Sequence, residues 1–341
     1  MKAAKLYSFD DIRIEDIPVP AAGPGEALMK VRASGICSGD VMPWYVEKKA
    51  PLVLGHEPAG EIIETGSGVE VFQPGARVFV HHHAPCMSCV SCRRGDHVQC
   101  PQWRTPGIIP GGIAEYVLIP EGNLRKDTLL LPEGVSFEDG TLIEPLACVV
   151  KSFGRSGIRQ GDTVLVIGLG VMGMLHVLLA RQYGASRVIG ADLVEYRLKK
   201  ALELGADAAV NVRKAALAGE VQSHTSGRGA EIVITGPNSV RAMEDGLACV
   251  APGGTLILFT PAKPGEKLIL DPNSLYFKDI SIAASYSCGP DDTRRALEFI
   301  QKGVVTARDL VTHRFPISET ARAYRAVAQA ADSLKVLITF D

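Results

Sequence analysis

Thr163-Val164-Leu165-Val166-Ile167-Gly168-Leu169-Gly170-Val171-Met172-Gly173 decides the reading of this chain. A short β-branched, apolar run predicts a buried strand. It enters G-x-G-x-x-G and then an apolar helix, with Val171 and Met172 inside the turn. Gly168 permits the tight turn, Gly170 the close approach of backbone to a pyrophosphate, and Gly173 close packing of helix on strand. The helix N-terminus then presents N–H groups to the anion. The next strand-like run, Arg187–Ala191, ends in Asp192, nineteen residues after Gly173. A carboxylate there hydrogen-bonds ribose hydroxyls and repels a 2′-phosphate, which favours NAD over NADP. Arg197 either lies along the adenine or tolerates a phosphate. The plainer alternative is a glycine turn in a doubly wound domain that binds no cofactor.

Outward from this stretch, strand-like and helical runs alternate through Ala208–Asn211, Glu231–Thr235, Ser239–Val250 and Thr255–Phe259. That alternation predicts βαβ units on a parallel sheet. Residues 1–145 read differently. They are rich in Pro and Gly, with short strand-like runs at Ala27–Ala33, Ala59–Thr65, Arg77–His81 and Ala114–Ile119. This predicts an irregular, mostly antiparallel β domain. After about Tyr286 the texture changes again: helix Asp291–Lys302, strand Val311–Phe315, helix Glu319–Ala331 and strand Lys335–Phe340. The expected fold is α/β. Residues 1–147 are expected to form one domain, 148–286 a nucleotide-binding doubly wound domain, and 287–341 to return to the first.

The 341 residues suffice for two domains, and net charge is −2 with 22% charged residues. With no basic field to hold a phosphate backbone, nucleic acid is not an expected partner. The N-terminal residues have no apolar core or cleavage site, so no signal peptide is expected. Val164–Ala180, the longest apolar run, is short for a membrane span and reads as strand plus helix. A cytoplasmic protein is expected, as a homo-oligomer (tetramer or dimer), with no membrane partner.

Cys86, Cys89, Cys92 and Cys100 follow C-x2-C-x2-C-x7-C. Four thiolates on one short loop suit a tetrahedral zinc with no open position, hence a structural one. A disulfide cluster and an iron–sulfur cluster are the alternatives. Upstream, Gly55-His56-Glu57 closes a strand-like run and Cys37 lies in Ser34-Gly35-Ile36-Cys37-Ser38-Gly39-Asp40. Taken singly, Cys37 reads as a small core residue and His56 as a structural histidine.

Together these residues resemble a known family. Gly55-His56-Glu57-x-x-Gly60, followed by Gly66 and Val69, is similar to the zinc signature of the medium-chain dehydrogenase/reductase family. The four-cysteine lobe and the later glycine turn fit that family in order and spacing. Ile143-Glu144-Pro145-Leu146-Ala147-Cys148 resembles its polyol (sorbitol-like) and threonine dehydrogenase branch, where the Glu replaces a zinc-binding cysteine. The resemblance implies a GroES-like catalytic domain with a Rossmann domain. It implies a catalytic zinc held by Cys37, His56, Glu57 and Glu144, with Glu57 and Glu144 both open as the resting carboxylate ligand. Cys148, one helical turn on, reads as packing. It also implies nicotinamide-pocket residues at Thr260 and Ser285, although the sorbitol branch has arginine at the position of Ser285. The family's usual hydroxyl and histidine relay positions are Gly39 and Met42 here, which leaves Ser38 as the nearby catalytic hydroxyl.

His81-His82-His83 reads as a strand end with alternating faces, turning one or two rings inward. Asp40, Trp44, Tyr45 and Trp103 read as pocket lining or core. The expected function is zinc- and NAD-dependent oxidation of a secondary alcohol of a polyol, sugar derivative or hydroxy amino acid, with two zincs per chain. A simple alcohol dehydrogenase or aldehyde reductase, and a catalytically silent binding protein on the same scaffold, are the alternatives.

Overall fold

The computed structural model of the protein describes residues 1–105 and 107–341. It divides into two units, Met1–Ala147 with Cys288–Asp341, and Cys148–Ser287. The sequence-expected boundary at 147/148 falls inside one continuous helix, Ile143–Ser156.

In the first unit the strands are β1 (Lys2–Ser8), β2 (Asp11–Asp16), β3 (Ala27–Gly35), β4 (Leu52–Val53), β5 (Glu57–Thr65), β6 (Arg77–Val80), β7 (Tyr116–Ile119) and β8 (Thr128–Leu130). In the second they are β9 (Thr163–Ile167), β10 (Arg187–Asp192), β11 (Ala208–Asn211), β12 (Ala230–Thr235), β13 (Val250–Leu258) and β14 (Ser281–Ala284). The chain returns to the first unit with β15 (Val311–Pro316) and β16 (Lys335–Thr339).

The β-rich unit is built on the antiparallel pair β3–β5, where Ala27 faces Thr65 and Gly35 faces Glu57. Its larger sheet runs β15-β16-β3-β5-β6-β8, with β7 also on β3. A core of Ala27, Met29, Val31, Ile62, Val78, Val80, Val117 and Ile119 fills one side of it. β16 lies antiparallel to β3, with Leu337 opposite Gly35, so the C-terminal strand reaches the end of β3 that leads to Cys37.

The second unit is a six-stranded sheet, β11-β10-β9-β12-β13-β14, parallel throughout. Strands in such a sheet are covered on both faces, which explains their continuous apolar runs. Leu165, Ile167, Ile189, Ala191, Val233 and Leu256 pack together in its core. One expectation shifts here. The sequence places a strand-like run at Thr255–Phe259, but β13 begins at Val250. Gly253 adopts φ 78°, and the ladder to β12 absorbs the irregularity as a register shift between Ala230 and Ile232. Helices Leu217–His224 and Pro272–Phe277 were not legible, since neither carries a strong apolar period. No helix among the described residues is long and apolar enough to cross a membrane.

Gly173 shows why the fingerprint needs its last glycine. A Cβ there would stand 2.0 Å from the Gly168 carbonyl oxygen, a backbone atom that cannot move aside without opening the turn. Gly173→Ala should therefore cost about 1–3 kcal/mol and lower the unfolding midpoint of the nucleotide-binding unit by calorimetry. An unchanged midpoint would show that the turn is looser than this packing.

Candidate active site and metal centres

The four cysteines converge as their spacing requires. The Sγ atoms of Cys86, Cys89, Cys92 and Cys100 all lie within 4.8 Å of one another, and all are free thiols. A tetrahedral zinc with thiolate bonds of about 2.3 Å separates its sulfurs by about 3.8 Å. Cys89 and Cys92 Sγ are 3.5 Å apart and Cys86 and Cys92 Sγ 3.9 Å, so the cradle fits such an ion. Backbone N–H groups already point at the sulfurs: Cys89 and Ser88 donate to Cys86 Sγ at 3.2 and 3.4 Å, and Cys86 to Cys100 Sγ at 3.2 Å. Hydrogen bonds from Ser88 and Cys89 hold the Cys86 thiol down at about 5, whereas burial pushes Cys92 up to about 12. Four such thiols crowded together need a cation to deprotonate them all. Trp103 is 2% exposed and belongs to the small core of this lobe with Cys92, Val98 and Cys100.

The second cluster sits where β3 ends and β5 begins. Cys37 caps the short 3-10 helix Ser38–Val41, its Sγ accepting from Gly39 N. Ser38 opens that helix and is exposed. One ligand atom each of Cys37, His56 and Glu57 lie within 4.8 Å of one another. Asp40 Oδ2 stands 3.3 Å from His56 Nδ1. Burial works against a charged His56, but the Asp40 carboxylate and Cys37 outweigh it and raise its pKa well above the ordinary value. That contact also fixes the ring and leaves Nε2 for a metal, the arrangement expected of a zinc-ligating histidine. Glu57 is buried and receives an ion pair from the equally buried Lys335, whose Nζ also donates to the Ile36 carbonyl at 3.2 Å. Gly35 makes room for this pair, because a Cβ there would meet Glu57 Oε2 at 1.9 Å and Lys335 Cε at 2.6 Å.

Glu144 lies close enough to act on the Glu57 carboxylate. Its ligand group includes His81 and His82, again within 4.8 Å. The His82 ring packs at 4.7 Å from His56 and 3.9 Å from His83, so the histidine run turns more than one ring inward. Burial drives the pKa of His82 well below its usual value and that of His83 to about 3, keeping both neutral.

In the doubly wound unit, Asp192 is 7% exposed. Its carboxylate accepts from Leu169 N at 2.6 Å, Leu193 N at 2.7 Å and Val194 N at 2.9 Å, so it braces the glycine turn from below. Arg197 Nη1 lies 3.8 Å from Asp192 Oδ2 and 4.0 Å from where a Cβ of Gly170 would be, reaching over the turn itself. Within the helix Val171–Ala180, His176 is locked between Met172 O at 2.8 Å and Ser152 Oγ at 2.7 Å, and burial lowers its pKa to about 4. Thr260 Oγ1 donates to Gly236 O. The Ser285 hydroxyl is buried without a hydrogen-bond partner among the described residues, a donor that a bound amide or water would satisfy. The open turn, the helix N-terminus and the Asp192 carboxylate together fit a dinucleotide.

Residues 23–132 match the family described as the alcohol dehydrogenase GroES-like domain, and residues 171–302 that described as zinc-binding dehydrogenase. The chain belongs to the zinc-dependent medium-chain dehydrogenase/reductase family. Within that family it groups with the polyol and threonine dehydrogenases. It is 31% identical to sorbitol dehydrogenase of Bacillus subtilis strain 168, over 99% of this chain and 97% of that one. It is 32% identical to L-threonine 3-dehydrogenase of Pyrococcus horikoshii, over 88% and 87%. A zinc-binding dehydrogenase from Sinorhizobium meliloti 1021 bound to NADP superposes with a TM-score of 0.89 at 30% identity, covering 99% of each chain. Members of this family are oxidoreductases acting on CH–OH groups, and so is this chain.

Sequence reasoning missed Lys335, the His81–His82–Glu144 group and the bracing role of Asp192. Lys335 opens a strand and reads as an ordinary surface charge. The alternation of faces at residues 81–83 was the available signal for the histidines.

Cys92→Ser should remove one zinc equivalent by metal analysis and leave a poorly folded protein by circular dichroism, because structural zinc contributes folding free energy. Full zinc content in that variant would contradict the four-thiolate reading.

Proposed function

We propose that the protein oxidises a secondary alcohol of a polyol, sugar derivative or hydroxy amino acid to a ketone, with one catalytic and one structural zinc and with NAD as hydride acceptor. The convergence of Cys37, His56 and Glu57 where β3 ends and β5 begins carries the reading. Zinc bound there would supply Lewis-acid polarisation of the substrate hydroxyl, and NAD the site to which hydride is transferred. The chain's residues do the rest. Asp40 orients His56. Lys335 neutralises Glu57, so that a second buried carboxylate is tolerated nearby at Glu144. Ile36 and Leu54, next to the ligand segments in sequence, are buried with Val46 in one apolar core. Ser38 is the adjacent hydroxyl available to pass a proton.

Substrate class follows the relatives: sorbitol, D-xylulose and threonine name the relatives' reactions, and all are vicinally functionalised secondary alcohols or their ketones. A carboxylate-bearing centre suits substrates that offer two oxygens.

Cofactor choice rests on Asp192. The Sinorhizobium relative holds NADP, so relationship alone does not decide it. A buried carboxylate at the end of β10, 3.8 Å from Arg197, favours the free ribose diol and repels a 2′-phosphate. Self-association is supported by β14, at one edge of the sheet among the described residues, and by Ile269, Tyr276 and Phe277, which are 83%, 76% and 77% exposed. Eight free thiols suit a reducing cytoplasm.

Screening polyols, sugar acids and hydroxy amino acids for NADH absorbance should find at least one substrate, with kcat/KM for NAD at least about tenfold above NADP, a difference of about 1.4 kcal/mol. Asp192→Asn should narrow that ratio. Equal use of both cofactors by the unmodified protein would show that Arg197 dominates. His56→Ala should stay folded and be inactive, and activity surviving it would overturn the assignment.

A further inference from the structure

His81 is a fully buried imidazole, and its environment is built. Val80 pairs with Thr128 at the end of the β6–β8 ladder. The backbone N–H of His81 donates to Asp127 O at 3.0 Å, and Asn123 Nδ2 donates to His81 O at 2.9 Å. The side chain is held as firmly. His81 Nδ1 lies 2.7 Å from Asp127 Oδ2, with both side chains 0% exposed. The other carboxylate oxygen of Asp127 accepts from Thr293 Oγ1. A carboxylate at Nδ1 keeps the proton there and turns the Nε2 lone pair the other way. This is the arrangement in which metal-bound histidines are found, the carboxylate fixing tautomer and ring and raising ligand basicity.

Nε2 faces a mixed set of metal-binding groups. Cys288 Sγ is 3.7 Å away. One ligand atom each of His81, His82 and Glu144 lie within 4.8 Å of one another. His82 Nδ1 is buried without a hydrogen-bond partner among the described residues. Two imidazoles and a carboxylate suit a divalent ion such as zinc. Glu57 is engaged by Lys335.

We propose that His81, His82 and Glu144 form a second divalent-metal position beside the Cys37–His56–Glu57 position, with Asp127 and Thr293 as its supporting residues. It holds the ion when the thiolate position is unavailable. The inference rests on the dehydrogenase reading only in that both place a metal in this unit. It assigns two ligands, His81 and His82, that the family resemblance does not give, beside Glu144, which it does.

The test is zinc content after saturation and gel filtration, read against the wild-type protein at about two equivalents. Cys37→Ser, which removes the thiolate with little change of volume, should still carry about two. Adding His82→Ala should lower it to about one, the four-cysteine ion. Asp127→Asn in the Cys37→Ser background should weaken the remaining ion about 10- to 100-fold in chelator competition, with far-UV circular dichroism unchanged. The chelator measurement decides the matter if the double variant folds poorly. A fall to one equivalent in Cys37→Ser alone overturns the proposal, as does retention of two in Cys37→Ser/His82→Ala, or an unchanged affinity in the Asp127→Asn variant. The readouts also separate the two claims. A wild-type protein with two zincs that oxidises no alcohol sinks the proposed function and leaves this site standing. An active wild type with a one-zinc Cys37→Ser variant does the reverse.

Discussion

A buried ion pair between the last strand and the metal loop is the constraint on which the catalytic unit depends. Lys335 and Glu57 are 0% and 1% exposed, and they are separated by 278 residues of sequence. Removing two charges from water is expensive, and only close mutual pairing with further hydrogen bonds offsets it. That requirement fixes several things together. β16 must lie on β3 with Leu337 opposite Gly35. Gly35 must carry no side chain, because the pair occupies that volume. The Ile36 carbonyl must point at Lys335 Nζ, which sets the backbone one residue before Cys37. The return segment is therefore part of the metal site's construction.

Beside it, polar groups are buried in compensated sets. Asp40 meets His56, Asp127 meets both His81 and Thr293, and in the other unit Asp192 takes three backbone N–H groups. Unpaired buried carboxylates are costly, so each such set holds a particular backbone geometry. The ligands are thus positioned by interactions that exist before a metal arrives, which is how a site reaches productive geometry without reorganising.

Much of this was legible in the sequence. The doubly wound sheet follows from periodicity and the glycine fingerprint, and the antiparallel unit from short strand-like runs between Pro and Gly. Convergence of the four cysteines follows from spacing alone, because the ligands share one short loop. What was not legible depends on contacts between distant segments. Lys335 looks like any charge at a strand start until its partner is seen. Glu144 was placed with Cys37 and His56 by resemblance, whereas its neighbours at ligand distance include His81 and His82. The histidine run looked like alternating faces, and only the seat of Asp127 at the end of helix Glu121–Asp127 reveals that one ring is held for a purpose. Asp192 was read as a ribose ligand, and its second task under the glycine turn is a matter of backbone geometry that no spacing encodes.

The buried pair is most directly tested by denaturant unfolding of Lys335→Met and of Lys335→Met/Glu57→Leu. Breaking one partner leaves an unpaired buried charge, so the single variant should lose about 3–5 kcal/mol, and replacing both by apolar groups should recover most of it. A single variant within about 0.5 kcal/mol of wild type, the range of ordinary surface substitutions, would contradict the account, because the return strand would then be held by its ladder alone.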